Sequence, residues 1–244
     1  MTTTNLENGI TNVLGPSQST LGSLVFPDPT RCHTWFDDFD DYVSTEWTIT
    51  ETGSGTRAVG NLDGGILVIT NGTSDNDKNA LQWSGVTNGS TVETFKWEAG
   101  KSMWMKARLK LLEVTETDLF IGLYTTNTDP VAGRVDGLYF STPAGSTPRR
   151  FNATKNSTSS TVSAATLTDD TYFTCGFWWD ANLGQLTVYY NDNPVGTLLT
   201  TSNFPDNEEV SISFAVQNGQ GSTASVLSLD YLMISKDRAA STAG

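Results

Sequence analysis

The chain has 244 residues, of which 37% are hydrophobic and 10% aromatic, enough apolar material to fill a core. Its net charge of −13, from 27 acidic against 14 basic residues, argues against a nucleic-acid partner, because phosphate binding needs clustered Lys and Arg. No run of about 18 apolar residues could span a membrane as a helix, and the first residues lack the basic start and apolar block of a secretion signal. The expectation is therefore a protein made in a cytoplasm.

Residues 1–32 are polar, with apolar residues thinly spaced: Leu6, Ile10, Val13, Leu14, Leu21, Leu24, Val25 and Phe26. No helical or strand period persists, and Phe26-Pro27-Asp28-Pro29 forces an extended path. One reading is a loose leader. The other is an extended N-terminal arm that orders on a neighbouring subunit, with those eight residues as anchors.

From His33 the pattern changes. HTWFDDFDDY opens a domain expected to run from 33 to 236, with Trp35 or Phe36 and Phe39 in its core. Asp37, Asp38, Asp40 and Asp41 suggest calcium, but successive strand residues point apart, so four cannot meet on one ion without a sharp turn. Strands are expected at Glu46–Glu51 and, after a Gly-rich turn, at Gly64–Thr70. Asp75, Asp77 and Asn79 imitate an EF-hand opening. The required glycine is replaced by Ala80 and the closing glutamate by Val86, so a loop leading into a strand at Ala80–Trp83 is expected.

The clearest element is Lys101–Thr126. Met103, Met105, Ala107, Leu109 and Leu111 take one parity, and Ser102, Trp104, Lys106, Arg108 and Lys110 the other. Side chains alternate across a strand, so this is a long strand with a buried face and a wet one. An acidic turn follows, and Asp118–Tyr124 returns antiparallel. Val135–Ser141 is a further strand. The Ser/Thr-rich stretch after it is expected to hold a weak edge strand or two and long loops.

The last third is a meander: Thr171–Asp180, Gln185–Tyr190 and Val195–Leu199, with turn residues between them. Val210–Gln217 and Ser225–Ser235 close the domain, and 237–244 is a loose tail. Roughly a dozen strands without a helix or a repeat imply an all-β, two-sheet antiparallel sandwich. Cys32 and Cys175 are far apart; a disulfide between them and two reduced thiols are both open, with the reduced form the plainer reading. Two cysteines and one histidine cannot supply a structural zinc site. Sequons at Asn71, Asn88, Asn152 and Asn156 are read as unmodified.

FDDF followed by Glu46-Trp47, the Gly64-Gly65-Ile66-Leu67 strand, the long strand after Gly100-Lys101, the FWWDANLGQLTVYYNDNPV meander and the VSISFAVQNG…VLSLDYLMISK pair together resemble the concanavalin A-like lectin/glucanase (laminin-G-like) jelly roll. The polar leader ending Pro-Asp-Pro-Thr before FDDF is further similar to virion accessory proteins of tailed bacteriophages, which decorate or cement the capsid. That resemblance implies a virion location at the capsid surface, a major capsid protein or other virion subunits as partners, and a homo-oligomer, for which a trimer suits a symmetric shell.

Glucanases of the fold resemble one another in carboxylates spaced two apart on a concave strand, one nucleophile and one acid/base. Here Glu113 and Glu116 differ in parity, in what reads as a turn before Asp118. His33 has no Gly-X-Ser-X-Gly elbow beside it. The expectation is a non-enzymatic protein without cofactor or metal. The competing expectation is a glycan-binding module, with Trp104, Tyr124, Trp178 and Tyr189 as an aromatic platform and Lys106, Arg108 and Lys110 beside Trp104 for acidic sugars. Against it, these side chains would pack under loops or pair with carboxylates on neighbouring strands.

Overall fold

The computed structural model describes residues 30–61, 64–85, 92–127, 129–142, 148–219 and 223–240. Among them are fifteen strands: β1 (Cys32–Asp37), β2 (Trp47–Thr52), β3 (Gly55–Val59), β4 (Leu67–Asn71), β5 (Lys78–Trp83), β6 (Met103–Leu111), β7 (Thr117–Tyr124), β8 (Gly137–Thr142), β9 (Pro148–Lys155), β10 (Thr158–Thr166), β11 (Phe173–Asp180), β12 (Gln185–Tyr190), β13 (Asn193–Leu198), β14 (Ser211–Asn218) and β15 (Val226–Asp237). They form two antiparallel sheets. Sheet I runs β13-β12-β11-β6-β15-β4-β3, with β1 also paired to β15; sheet II runs β10-β9-β8-β7-β14-β5-β2. The fold class read from the periodicity is the one observed.

The two sheets share one apolar interior. Met105, Ala107, Leu109 and Leu111 of β6 face Leu119, Ile121 and Leu123 of β7 and Ile212, Phe214 and Val216 of β14. Phe39 is buried and Trp35 packs on this core, whereas Phe36 is 57% exposed. Of the two candidates at the domain's opening, Trp35 is the inward one. The turn after β1 explains the FDDF motif: Phe39 takes a positive φ of 52°, and its N–H is held by the Asp37 carboxylate at 2.8 Å. A residue in this left-handed region needs such local support.

Two elements differ from the sequence expectation. The Gly-rich turn holds a strand, β3, whose pairing with β4 sets Arg57 opposite Ile69. The Ser/Thr-rich stretch gives two long strands, and β9 lies inside the sheet rather than at its edge. The inward face of β9 begins with a charge. Arg149 is fully buried, donates to Cys175 Sγ at 3.4 Å and lies 4.1 Å over the Phe173 ring. Cys32 and Cys175 are both buried thiols with no disulfide between them.

One seam between the sheets is polar. Asn71 Nδ2 donates to the Asp77 and Val216 carbonyls and to Asn218 Oδ1, and Asn71 Oδ1 accepts from Asn79 Nδ2 at 2.8 Å. The EF-hand-like residues are consumed here: Asp77 accepts from the Ser74 N–H, and Asn79 also accepts from Arg57. Satisfied buried amides of this kind specify register. They also place the Asn71 sequon in the interior.

Candidate functional site

The outward positions of the two sheets supply the surfaces on which a ligand could act. On sheet I the register aligns Trp178 with Trp104 and Trp104 with Ser235, so a row crosses β11, β6 and β15. Tyr189 sits beside Gly176 in the next row. A Cβ on Gly176 would lie 2.4 Å from the Met105 carbonyl, so this spot must stay bare. Trp104 is only 8% exposed, while Trp178 and Tyr189 are half-buried. The indole N–H groups of Trp104 and Trp178 are both buried without an acceptor. Burial raises the Tyr189 hydroxyl pKa, and the nearby Asp180 carboxylate adds to the rise.

The cations on the same face are neutralised by the chain itself. Lys106 pairs with Asp192 at 2.8 Å, Arg108 with Asp230, and Lys110 with Asp170 at 2.5 Å. Tyr172 lies beneath the last two, with the Arg108 guanidinium 4.3 Å and the Lys110 ammonium 5.2 Å from its ring centre. Tyr172 therefore spends its π face on the chain's own cations. Sheet I brings three of the four expected platform aromatics into one neighbourhood, and withdraws the positive charge expected to accompany them.

Tyr124, the fourth, belongs to the other sheet. The outward residues of sheet II include Ala80, Phe120, Tyr124, Tyr139 and Ala215, and these are buried with Val131 in a small second core. The cover is the connection between β7 and β8, whose described residues 125–127 and 129–136 fold back over the strands. Tyr124 OH donates to the Gly133 carbonyl and accepts the Val135 N–H at 2.8 Å. Burial pushes its pKa up to about 12. Gln82 donates to the Thr125 carbonyl and accepts the Asn127 N–H at 3.0 Å. Lys78, nearly buried, pairs with Asp129 of the loop at 2.8 Å. Burial tends to raise the Asp129 pKa, but Lys78 and the Ala132 and Val131 N–H groups outweigh it and hold the carboxyl below its ordinary value.

Beyond the loop a hydroxyl-rich strip remains on sheet II. Asn152 donates to Ser141 Oγ at 3.0 Å and accepts from Thr161 at 3.2 Å. Tyr139 OH and Thr154 Oγ1 are 3.0 Å apart, and Arg134 lies over the Tyr139 ring. Reasoning from the sequence missed this strip and the covering loop. A signal was present: Ala80, Gly122, Ser213 and Ala215 are too small for a solvated sheet face, and mark strands on which something packs. Asn152, a sequon residue, is engaged and nearly buried, whereas Asn156 is exposed on the β9–β10 turn. The Asn88 sequon lies outside the described residues.

The chemistry-bearing residues do not converge. Glu113 and Glu116 sit in the turn between β6 and β7, and Glu113 accepts from the Thr115 N–H and hydroxyl. His33 packs on Phe95 with ring centres 4.7 Å apart; burial, then Arg238 and Lys236, lower its pKa. Burial raises the Asp37 pKa, as do Asp41, Glu46 and Asp38. Among the described residues no group of three or more His, Cys, Asp or Glu comes together where a metal ion could sit. The arm candidates Leu6, Ile10, Val13, Leu14, Leu21, Leu24, Val25 and Phe26 all lie outside the described residues.

No protein-family model matches the sequence, and no curated protein does. Solved structures do match. The carbohydrate recognition domain of Emp47p superposes with a TM-score of 0.58 at 13% identity, covering 86% of this chain and 98% of that one. An endo-1,3-beta-glucanase from Streptomyces sioyaensis gives 0.57 at 15% identity, covering 86% and 98%. Peanut lectin gives 0.54 at 10% identity, covering 84% and 97%. At such identities the likeness concerns the backbone and not the chemistry. The chain has the concanavalin A-like jelly-roll fold, shared by lectins and a glucanase.

Proposed function

We propose that the chain is a non-catalytic structural protein of a virus particle, of the kind that decorates or cements the heads of tailed bacteriophages. The observation that carries the non-catalytic part is the covered face of sheet II, where residues 125–136 occupy the strands on which a groove would otherwise open. The cations of sheet I are likewise spent on the chain's own aspartates. What remains is a rigid sandwich that works through packing surfaces. The virion assignment is supported by the resemblance of the leader and the FDDF opening; on this reading residues 1–32 attach the domain to the major capsid protein or to sister subunits. The test is co-purification with particles at a fixed copy number relative to the shell protein. Deleting residues 1–30 is expected to leave the β-sheet circular dichroism intact and abolish attachment. An arm-deleted chain that binds particles fully would remove this reading.

A second reading, a glycan-binding module, is favoured by the half-buried Trp178 and Tyr189 on one face of sheet I, and by the fold's occurrence in lectins. It predicts glycan-array binding that Trp178→Ala eliminates without unfolding the protein. The same array silent with the intact chain eliminates it.

A further inference from the structure

The chain carries 27 acidic residues against 14 basic ones, so a cation without a carboxylate partner stands out. Among the described residues nine of the 14 are in ion pairs, every lysine included, which leaves five arginines. The fold brings two of the five, Arg134 and Arg150, to one place. Arg150 of β9 stands opposite Ser141 of β8 and Ser163 of β10. Arg134 reaches the same Ser141 from the covering loop: its Nη1 is 3.5 Å from Ser141 Oγ, and its guanidinium lies 5.7 Å from the Tyr139 ring centre. Opposed residues of an antiparallel pair have Cβ atoms about 5 Å apart, so the two arginines flank one serine.

Three donors at this place have no acceptor among the described residues. Arg134 Nε is buried without a partner. Ser141 Oγ accepts from Asn152 Nδ2 at 3.0 Å and faces Arg134 Nη1, so both of its lone pairs are engaged and its hydrogen is left over. The guanidinium of the exposed Arg150 is the third. Buried donors are costly to leave unmade, and the guanidinium fork matches the paired oxygens of an oxyanion. Beside the arginines β10 presents hydroxyls, Thr161 and Ser163, both on exposed residues.

We infer that this patch binds the carboxylate or sulfate group of an acidic saccharide. Arg134, Ser141 and Arg150 hold the oxyanion, and Thr161 and Ser163 meet the neighbouring sugar hydroxyls. The ligand carries a single negative group, because two guanidinium groups suit one oxyanion and a net charge of −13 repels a polyanion. The patch lies on sheet II, whereas Trp178 and Tyr189 lie on sheet I, so the inference goes beyond the aromatic platform and does not depend on it.

The test is an NMR titration of the isotopically labelled full chain with sodium glucuronate, a glucose sulfate ester, methyl glucoside and sodium sulfate. Glucuronate or the sulfate ester is expected to bind with a dissociation constant of about 1 mM, moving the amide shifts of Arg134, Ser141 and Arg150. Whichever binds identifies the oxyanion. Methyl glucoside and bare sulfate should bind about tenfold more weakly or not at all. Arg134→Gln and Arg150→Gln should each weaken binding about tenfold, and Trp178→Ala should leave it unchanged. If Arg134→Gln melts early, Arg150→Gln decides, because it alters an exposed residue. No binding of either acidic sugar up to about 50 mM overturns the inference, as does equal binding of methyl glucoside or bare sulfate, or an Arg150→Gln chain that binds like wild type. Binding lost in Trp178→Ala and kept in Arg150→Gln overturns it too, while leaving the platform reading standing.

Discussion

The outer faces of the two sheets obey the same alternation and end in opposite states. On sheet I the outward side chains of β6 meet carboxylates from strands and loops far away in sequence, and remain an ionic surface. On sheet II the outward side chains are small or aromatic, and the chain folds its own 125–136 segment over them as a second, smaller core. The lesson is that a strand's outward face is settled by what its connections can reach. The β6–β7 turn spans only a few residues and tucks Val114 into the main core, whereas the β7–β8 connection is long enough to return across the outer face of its sheet.

The largest expected effect comes from opening the covered face. Tyr124→Ala removes a fully buried ring and both loop hydrogen bonds. It should cost about 3–4 kcal/mol by denaturant melts, and it should speed amide exchange across 125–136 while β6 and β15 stay protected. If exchange rises equally on both sheets, the loop is not a separable cover.

A smaller effect should follow from Asp129→Asn, which leaves Lys78 without its counter-charge. The cost is about 1 kcal/mol near neutral pH, discounted because Asp129 is partly exposed. The Asp129 pKa is lower folded than unfolded, so its contribution is fully present above the unfolded value near 4 and disappears as pH falls through the folded one. The difference between wild type and Asp129→Asn should therefore shrink toward zero in acid. A difference that persists well below pH 3 would mean that the carboxylate's charge is not what latches the loop.

The smallest effect is expected on sheet I. Arg108 is 42% exposed, and Arg108→Ala should change stability by less than about 0.5 kcal/mol, less still in 1 M salt. A loss of several kcal/mol would make the ionic face as structural as the covered one, and would erase the contrast.

The inward set of β6 was legible from parity alone, because burial there needs only that every second side chain turn inward. The same reasoning found the strand rich in Phe and Trp at β11 and the last two strands. It failed at β3, where Gly and Thr looked like a turn but gain their strand from pairing with β4. It also failed at β9, whose inward residues include the charged Arg149. Of the proposed aromatic platform, parity grouped Trp104 and Trp178 with polar neighbours correctly, but could not assign Tyr124 to the opposite sheet.

What the amino-acid order determined by itself was the period-two pattern, and hence the all-β sandwich and the inward core. These depend on residues within one strand or one turn of each other. What only the tertiary structure decided was the covering of sheet II and the neutralisation of Lys106, Arg108 and Lys110. Each joins or separates strands distant in the chain, as Arg108 and Asp230 are, and local side-chain direction carries no information about which distant strand becomes a neighbour.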